Sequence, residues 1–187
     1  MIRPVPFRRQ SSRFAGASLL VLALVWPGGR LKAQLQPYRL ATGVEAGPSF
    51  YRFDSNSGTG IDVGLVVSTA PSPHLILEAG LAIFDADEEF TFGGVSGSNR
   101  LRFLLPEVNA QWQAGNGKVR PYVALGGGGA VRLNGPVAGG ATLRAELGTR
   151  LRLGARTLLR AALRARTIRP FDDRTIDATI GIEWVKW

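Results

Sequence analysis

Hydrophobic and polar residues alternate position by position along most of this chain. Leu40, Thr42, Val44 and Ala46 interleave with Gly43, Glu45 and Gly47, and Ile61, Val63, Leu65 and Val67 with Asp62, Gly64 and Ser68. Leu75, Leu77, Ala79, Leu81 and Ile83 interleave with Glu78 and Gly80. Ile176, Ala178, Ile180, Ile182 and Trp184 do the same with Asp177, Thr179, Gly181 and Glu183. A period of two sends the two sets to opposite faces of a pleated strand. Runs of about ten residues have the length of a tilted membrane strand.

The last third shows the pattern in its strongest form. Arg144, Arg150, Arg152, Arg156, Arg160, Arg164 and Arg166 all occupy even positions, and the odd positions between them hold Ala145, Leu147, Leu151, Leu153, Leu159, Ala161, Leu163 and Ala165. The middle is noisier. Leu104, Val108, Ala110 and Trp112 oppose Glu107, Asn109 and Gln111, with Pro106 a blemish. Val119, Pro121, Val123, Leu125 and Val131 oppose Arg120, Tyr122 and Arg132. With the arginine-bearing segments near 140–153 and 156–168, the count of strands is eight. Arg156, Arg160 and Arg164 are also four apart, which would suit an amphipathic helix over 156–166. Arg166 leaves that stripe but keeps the even one, and a helix would leave seven strands with an open edge, so a strand is favoured.

Connections fall into two sets. Segments 70–73, 114–117 and 154–155 are short and rich in Pro, Gly, Ser and Asn. Segments 54–58, 85–99, 134–139 and 170–173 form the other set, and 85–99 is the longest and most acidic, with Asp85, Asp87, Glu88 and Glu89. Alternating short turns and longer loops predict an all-β fold, an eight-stranded antiparallel up-and-down transmembrane β-barrel with both termini on the short-turn side.

In register, one face collects Glu45, Asp62, Glu78, Glu107, Glu146, Asp177 and Glu183 together with Arg120, Arg132 and the seven arginines named above. Charges withdrawn from water need partners, and arginine forks onto carboxylates, so this face predicts a charge network filling a narrow lumen. An eight-stranded barrel is only wide enough for its own side chains, which disfavours a continuous solute pore. A soluble lipocalin-like barrel would reverse the polarity. Trp184 and Trp187 close the chain, and Trp112 and Tyr122 stand near turns, where membrane-interface aromatics belong. These favour the lipid-facing arrangement, with Trp112, Trp184 and Trp187 as the interface aromatics.

Composition then narrows the setting. The chain has 187 residues and a formal charge of +9. Residues 1–33 carry Arg3, Arg8, Arg9, Arg13, Arg30 and Lys32 without an acid. The apolar run 14–26 has the length of a signal h-region, shorter than a spanning helix needs. Leu31-Lys32-Ala33 before Gln34 offers a cleavage site, and an uncleaved anchor is the alternative. Six of the 23 basic residues fall in this leader, leaving 17 against 14 acids, or +3, for the barrel at 34–187. The basic excess belongs to the leader, and a nucleic-acid partner loses its support. No cysteine is present, which removes disulfides, thiolate chemistry and Cys-type zinc sites.

The stretch Arg120-Pro121-Tyr122-Val123-Ala124-Leu125-Gly126-Gly127-Gly128, the Glu146-Leu147-Gly148 segment and the C-terminal strand ending in Trp187 resemble the small outer-membrane β-barrel families, the OmpA transmembrane-domain and OmpX-like proteins. The resemblance covers roughly residues 38–187. It implies an outer-membrane location, contact with outer-membrane lipid and lipopolysaccharide, and passage through the barrel-assembly machinery. The sequence departs from the pattern in having Trp187 where Phe is more usual, and no peptidoglycan-binding domain after the barrel.

Candidate chemistry is sparse. Gly126–Gly129 lacks the Lys-Ser/Thr pair and following helix of a phosphate loop. It reads as a strand stretch leaving room for neighbouring arginines. His74, the only histidine, sits at a turn on the terminal side. A lipid A-modifying barrel enzyme would want a Ser-His pair on the opposite half, so catalysis is not expected, nor is a cofactor. Asp85, Asp87, Glu88 and Glu89 match no calcium-loop spacing. The reading is a structural or surface-interaction protein acting through 85–99 and 134–139. Two alternatives stand beside it, the barrel enzyme and a soluble periplasmic barrel holding a small ligand.

Overall fold

A computed structural model of the chain describes residues 38–53, 56–92, 95–115, 117–134, 139–168 and 173–186. The proposed leader at 1–33 and Trp187 lie outside them. Eight strands follow one another: β1 (Leu40–Phe53), β2 (Asn56–Thr69), β3 (Leu75–Phe92), β4 (Val95–Gln113), β5 (Val119–Arg132), β6 (Gly139–Arg152), β7 (Thr157–Ile168) and β8 (Asp173–Lys186). Each pairs antiparallel with the next, and β1 pairs with β8 through Thr42↔Trp184 and Glu45↔Gly181, closing the barrel. Segment 156–166 is therefore strand from Thr157 onward. Closure explains why: a helix there would expose two sheet edges, each a row of unpaired amides.

The faces are sorted as the alternation requires, with the apolar set outside. Leu147, Leu163 and Ile180 are 54%, 52% and 64% exposed, and Val44, Leu65, Val108, Val123 and Ile176 share that face. An outer wall this apolar has no second layer to bury it in a closed barrel. Lipid is the solvent it suits.

Two prolines mark local breaks in the ladder. Pro48 pairs with Ile61 on β2, but β1–β8 pairing skips Gly47 and Pro48. Pro106 pairs with Leu81 on β3, but β4–β5 pairing skips Leu105 and Pro106. Each imino nitrogen has no hydrogen to give on the skipped side. The facing chains crowd together at these points. A Cβ on Gly47 would run into the Ala178 carbonyl, and one on Gly128 into the Pro106 carbonyl. A Cβ on Gly126 would meet the Asn109 backbone at 2.7 Å. The glycine run thus yields space to the backbones of β4 and, at Gly127, of β6, where the sequence suggested space for neighbouring arginines.

The connections also depart from expectation. At the end away from the termini the strands leave 54–55, 93–94, 133–138 and 169–172, and at the terminal end 70–74, 114–118 and 153–156, so it is the β1–β2 and β3–β4 connections that are shorter than expected. The stretch 85–99 is ladder rather than loop. Pairing of β3 with β4 runs from Leu75↔Trp112 to Phe92↔Val95 because no Pro or Gly interrupts 85–92. β2 stops pairing with β3 at Ala86, and β5 stops pairing with β4 at Phe103. Beyond that, Leu133 N donates to Arg102 O at 2.8 Å, and the Asn134 side chain accepts from Arg102 N at 2.8 Å and donates to Arg100 O. An amide side chain there replaces the missing strand. Past it, β3 and β4 form a two-stranded ribbon. Of the 134–139 segment, 135–138 lie outside the described residues, as do 170–172.

Two substitutions test this arrangement. Leu163→Arg places a charge on the lipid wall and should cost about 2–4 kcal/mol in a bilayer, read from urea unfolding in vesicles; unchanged stability would point to a water-facing wall. Gly47→Val should lower the temperature at which the folded gel band converts to the unfolded one, by an overpacking cost of about 1–3 kcal/mol. Gly80→Ala, whose nearest neighbour would be 3.5 Å away, should not.

Candidate functional site

The lumen is built in three layers. At the terminal end Tyr38, Ala41, Ala70, Ile76, Leu158 and Val185 form an apolar cluster. At the other end Tyr51, Phe53, Phe84, Leu101, Leu105 and Ile168 form a second, with Phe103 packed against it. Its rings meet edge-on, as in Tyr51–Phe84 at 5.8 Å and 82°, and Phe53–Phe103 at 5.7 Å and 77°. Such pairs satisfy the ring quadrupoles as well as burying area. Their parity is that of the charged face, and alternation alone does not single out the apolar members of that face. Between the clusters lie the ions.

Like charges face each other along the sheet. Register sets Arg120 against Arg150, Arg150 against Arg160, and Arg144 against Arg166. Directly opposed cations destabilise a sheet, so carboxylates from the rest of the wall must compensate them, and they do for all of these but Arg120. Arg164 of β7 bonds Glu45 of β1, Asp62 of β2 at 3.2 Å and Glu146 of β6 at 2.9 Å. Arg166 reaches Asp62 at 3.1 Å, Glu107 at 2.7 Å and Asp177 at 3.0 Å. Arg160 takes Glu78 at 2.7 Å and Glu146 at 2.5 Å. Arg144 takes Glu146 and, at 3.3 Å, Glu107, while Arg150 takes Glu183 at 3.1 Å.

Neutral side chains complete the lattice. Gln111 and Asn109 donate to Glu78 at 2.7 and 3.1 Å, and Ser49 donates to Asp177. Tyr122 of β5 donates to Glu146 at 2.5 Å and accepts from Arg160 Nε at 2.7 Å, with the Arg150 guanidinium 5.1 Å from its ring centroid. Tyr122 is therefore a lumen residue and not an interface aromatic. Its even position beside Arg120 carried that signal. With it, all eight strands contribute to the network.

The remaining arginines take other places. Arg152 is half-buried at the terminal mouth, with its Nε 3.0 Å from Gly154 O. Arg156 lies exposed in the β6–β7 connection, so it belongs to no lumen network; the strand begins at Thr157, and inward-facing Leu158 seals the end. Arg120 is buried, and its Nε donates to Gly117 O at 3.3 Å. Trp112 and Trp184 face outward near the terminal end, beside Leu75 and Thr157 respectively. His74 is exposed in the β2–β3 connection at that same end, its Nδ1 3.2 Å from Gln113 O.

Chemically, the lumen holds charge in place. Its carboxylates occupy five of the six buried guanidiniums, Arg120 having its Nη1 and Nη2 without a hydrogen-bond partner among the described residues, and both ends are closed by hydrocarbon. A cavity of about 10 Å³ beside Tyr38, Gln113 and Arg150 has room for about one water.

No protein-family model matches the sequence, and neither does any curated protein. Solved structures do. Neisserial surface protein A superposes with a TM-score of 0.59 at 12% identity, over 78% of this chain and 96% of that one. The chain has the fold of the small eight-stranded outer-membrane barrels. Ail of Yersinia pestis aligns at 0.55 and 8% identity, over 81% of this chain and all 100% of that one. OprG of Pseudomonas aeruginosa aligns at 0.53 and 14% identity, over 79% and 94%. Identities this low speak for the fold of the outer-membrane barrels and for nothing more specific.

Glu146 accepts from three arginines and Tyr122, whereas Glu183 is hydrogen-bonded by Arg150 and only approached by Arg160, at 3.5 Å. Stripping a buried cation of its partner costs about 3–5 kcal/mol. Glu146→Gln should approach that loss in urea unfolding from micelles, and Glu183→Gln should lose distinctly less. Equal losses would mean that the lattice is not held as described.

Proposed function

We propose that this protein resides in an outer membrane as a sealed, non-catalytic barrel that presents its β3–β4 ribbon for surface recognition. The observation that carries the reading is the closed three-layer lumen, an ion lattice between two hydrocarbon caps. A lumen filled in this way gives solutes no path, and a transport role has nowhere to act. The ribbon stands past the end of the neighbouring strands. Its base is fixed, since Tyr51 Oη donates to Asp87 O at 3.1 Å.

Charge indicates the kind of partner. The ribbon past Ala86 and Phe103 carries Asp87, Glu88 and Glu89 against Arg100 and Arg102, and beyond the Asp87–Arg100 pair the residues 88–99 hold two acids and no base. Ail has been solved with the heparin analogue sucrose octasulfate, an acidic ligand. The ribbon here has the opposite sign and favours a basic partner. Its two free edges also allow pairing with an extended peptide, in which main-chain bonds supply affinity and charge supplies selectivity.

Purified protein in planar bilayers should show no stepwise conductance, while unboiled gels of outer-membrane fractions show a heat-modifiable band. Steady channel steps would overturn the sealed-lumen reading. Shortening 88–97 to a two-residue turn should leave that band intact and abolish attachment of expressing cells to polylysine-coated surfaces. Undiminished attachment would remove the recognition role from the ribbon.

A further inference from the structure

The two rims of the barrel differ in charge. The terminal rim carries Arg39 just before β1, Lys118 just before β5, Arg120 of β5, Arg152 of β6, Arg156 just before β7 and Lys186 of β8. No acid lies in 38–40, 69–76, 112–120, 151–158 or 184–186, and Glu183, one residue deeper, is bonded by Arg150 in the lumen. The opposite end mixes both signs, with Asp85 held between Arg100 and Arg102. Arg39, Lys118, Arg156 and Lys186 are exposed. The bases thus trace an arc from β5 round through β8 to β1. The recognition role assigned to the ribbon, at the far end, uses none of them.

Arg120 distinguishes this rim from a merely solvated one. It is 1% exposed, and its Nε donates to Gly117 O at 3.3 Å, while among the described residues Nη1 and Nη2 have no partner. Those two nitrogens form an edge that fits the two oxygens of a carboxylate. Its neighbours on β6 aggravate the imbalance: Arg150 faces it in register, and Arg152 follows at the next inward position. The other five buried guanidiniums draw carboxylates from this chain, and Arg120 does not. A buried cation without a counter-ion is costly to the fold. The β4–β5 turn bonded to it is loosely packed. A Cβ on Gly115, whose φ is +80°, would meet nothing within 4 Å, and one on Gly117 nothing nearer than 3.9 Å. A turn this open has room to move aside for an incoming side chain.

We propose that the terminal rim binds an acidic peptide segment of a partner in the aqueous space beneath the membrane, one side-chain carboxylate on the Nη1–Nη2 edge of Arg120 and others along the basic arc. Arg120 faces inward, whereas lipid headgroups meet the outward face, which at this end presents Trp112 and Trp184. The carboxylate therefore arrives through the mouth. An arc reaching from β5 to β1 exceeds what one small anion covers and suits an extended chain. Tyr38, Ile76 and Leu158 cap the lumen at this end, so the peptide docks and does not pass. The inference rests on the outer-membrane reading, with the terminal end on the inner side of that membrane.

The test uses the full barrel folded in phosphocholine micelles, which leave both ends open, with a fluorescent oligoglutamate peptide read by anisotropy. Wild type should bind it saturably and ignore an oligoglutamine of the same length. Arg120→Gln should weaken binding about tenfold or more, yet unfold in urea no earlier than wild type, since the fold loses only an unpaired cation. The exposed pair Lys118→Gln/Arg156→Gln should also weaken binding, and covers the case in which the Arg120 variant fails to fold. Arg52→Gln/Arg174→Gln, at the opposite end, should bind as wild type does. No binding by wild type, undiminished binding by either terminal-end variant, or equal loss at the opposite end would overturn the proposal. So would earlier unfolding of Arg120→Gln, which would give the guanidinium a partner within the fold. Displacement of the peptide by phosphatidylglycerol doped into the micelles would reassign the rim to lipid and overturn it too. A wild-type chain that yields no heat-modifiable barrel would instead defeat the outer-membrane reading itself.

Discussion

A guanidinium taken out of water costs several kcal/mol unless carboxylates replace what it lost, and six such groups are buried in this barrel, five of them paired with carboxylates. Every larger feature answers to that requirement. Arg164 needs β1, β2 and β6 at once, and Arg166 needs β2, β4 and β8. No sheet short of a closed one brings those strands within reach. The hydrocarbon caps at each end then exclude water, which strengthens each ion pair and makes each missing partner more costly. Seven carboxylates meet five arginines in this lattice, so hydroxyls and amides from Tyr122, Ser49, Asn109 and Gln111 fill the remaining positions. Buried ion pairs are poor sources of net stability but strong sources of specificity in some proteins. In this lumen each arginine fits one set of walls, and a strand slipped by one residue would turn its charges into lipid.

The outer wall follows the reverse rule. It has no partner of its own, and its exposed Leu, Ile and Val become stabilising only in hydrocarbon. Where that belt ends, the sequence changes from Ile83 to Asp85 and from Leu104 to Arg102 within two positions. The β3–β4 hairpin continues into water without changing its backbone, so one ladder serves as membrane wall and surface ribbon.

Much of the fold was legible because a period of two is a direct statement about faces. The even positions of Arg160, Arg164 and Arg166 required a strand, and closure required it again. Polarity was harder, since alternation marks two faces without naming the inner one. It was the near balance of acids and arginines that weighed toward the lumen. Three things escaped. Arg156 shares the even parity but falls just before the strand, since periodicity does not locate a strand's end. Segment 85–99 looks like a loop because acidic residues are common in loops, yet 85–92 holds no Pro or Gly to stop the ladder. Tyr122 was read by its nearness to a turn when its parity already placed it inside. Which acid meets which arginine lay beyond the sequence altogether, because partners such as Arg164 and Glu45 are 119 positions apart.

The β1–β8 seam has a consequence for assembly. Arg160, Arg164 and Arg166 sit on the penultimate strand, and several of their carboxylates sit on β1, β2 and β8. A sheet still open at that seam would leave Arg164 and Arg166 at one margin without Glu45 and Asp62, which would stand at the other. Neither margin could enter hydrocarbon alone without a large electrostatic barrier, yet the two attract each other across the gap. Membrane entry and circularisation are thereby coupled into one cooperative event, and the ion lattice acts as a latch that sets late in biogenesis. Its first strand must wait, solvated, for its last.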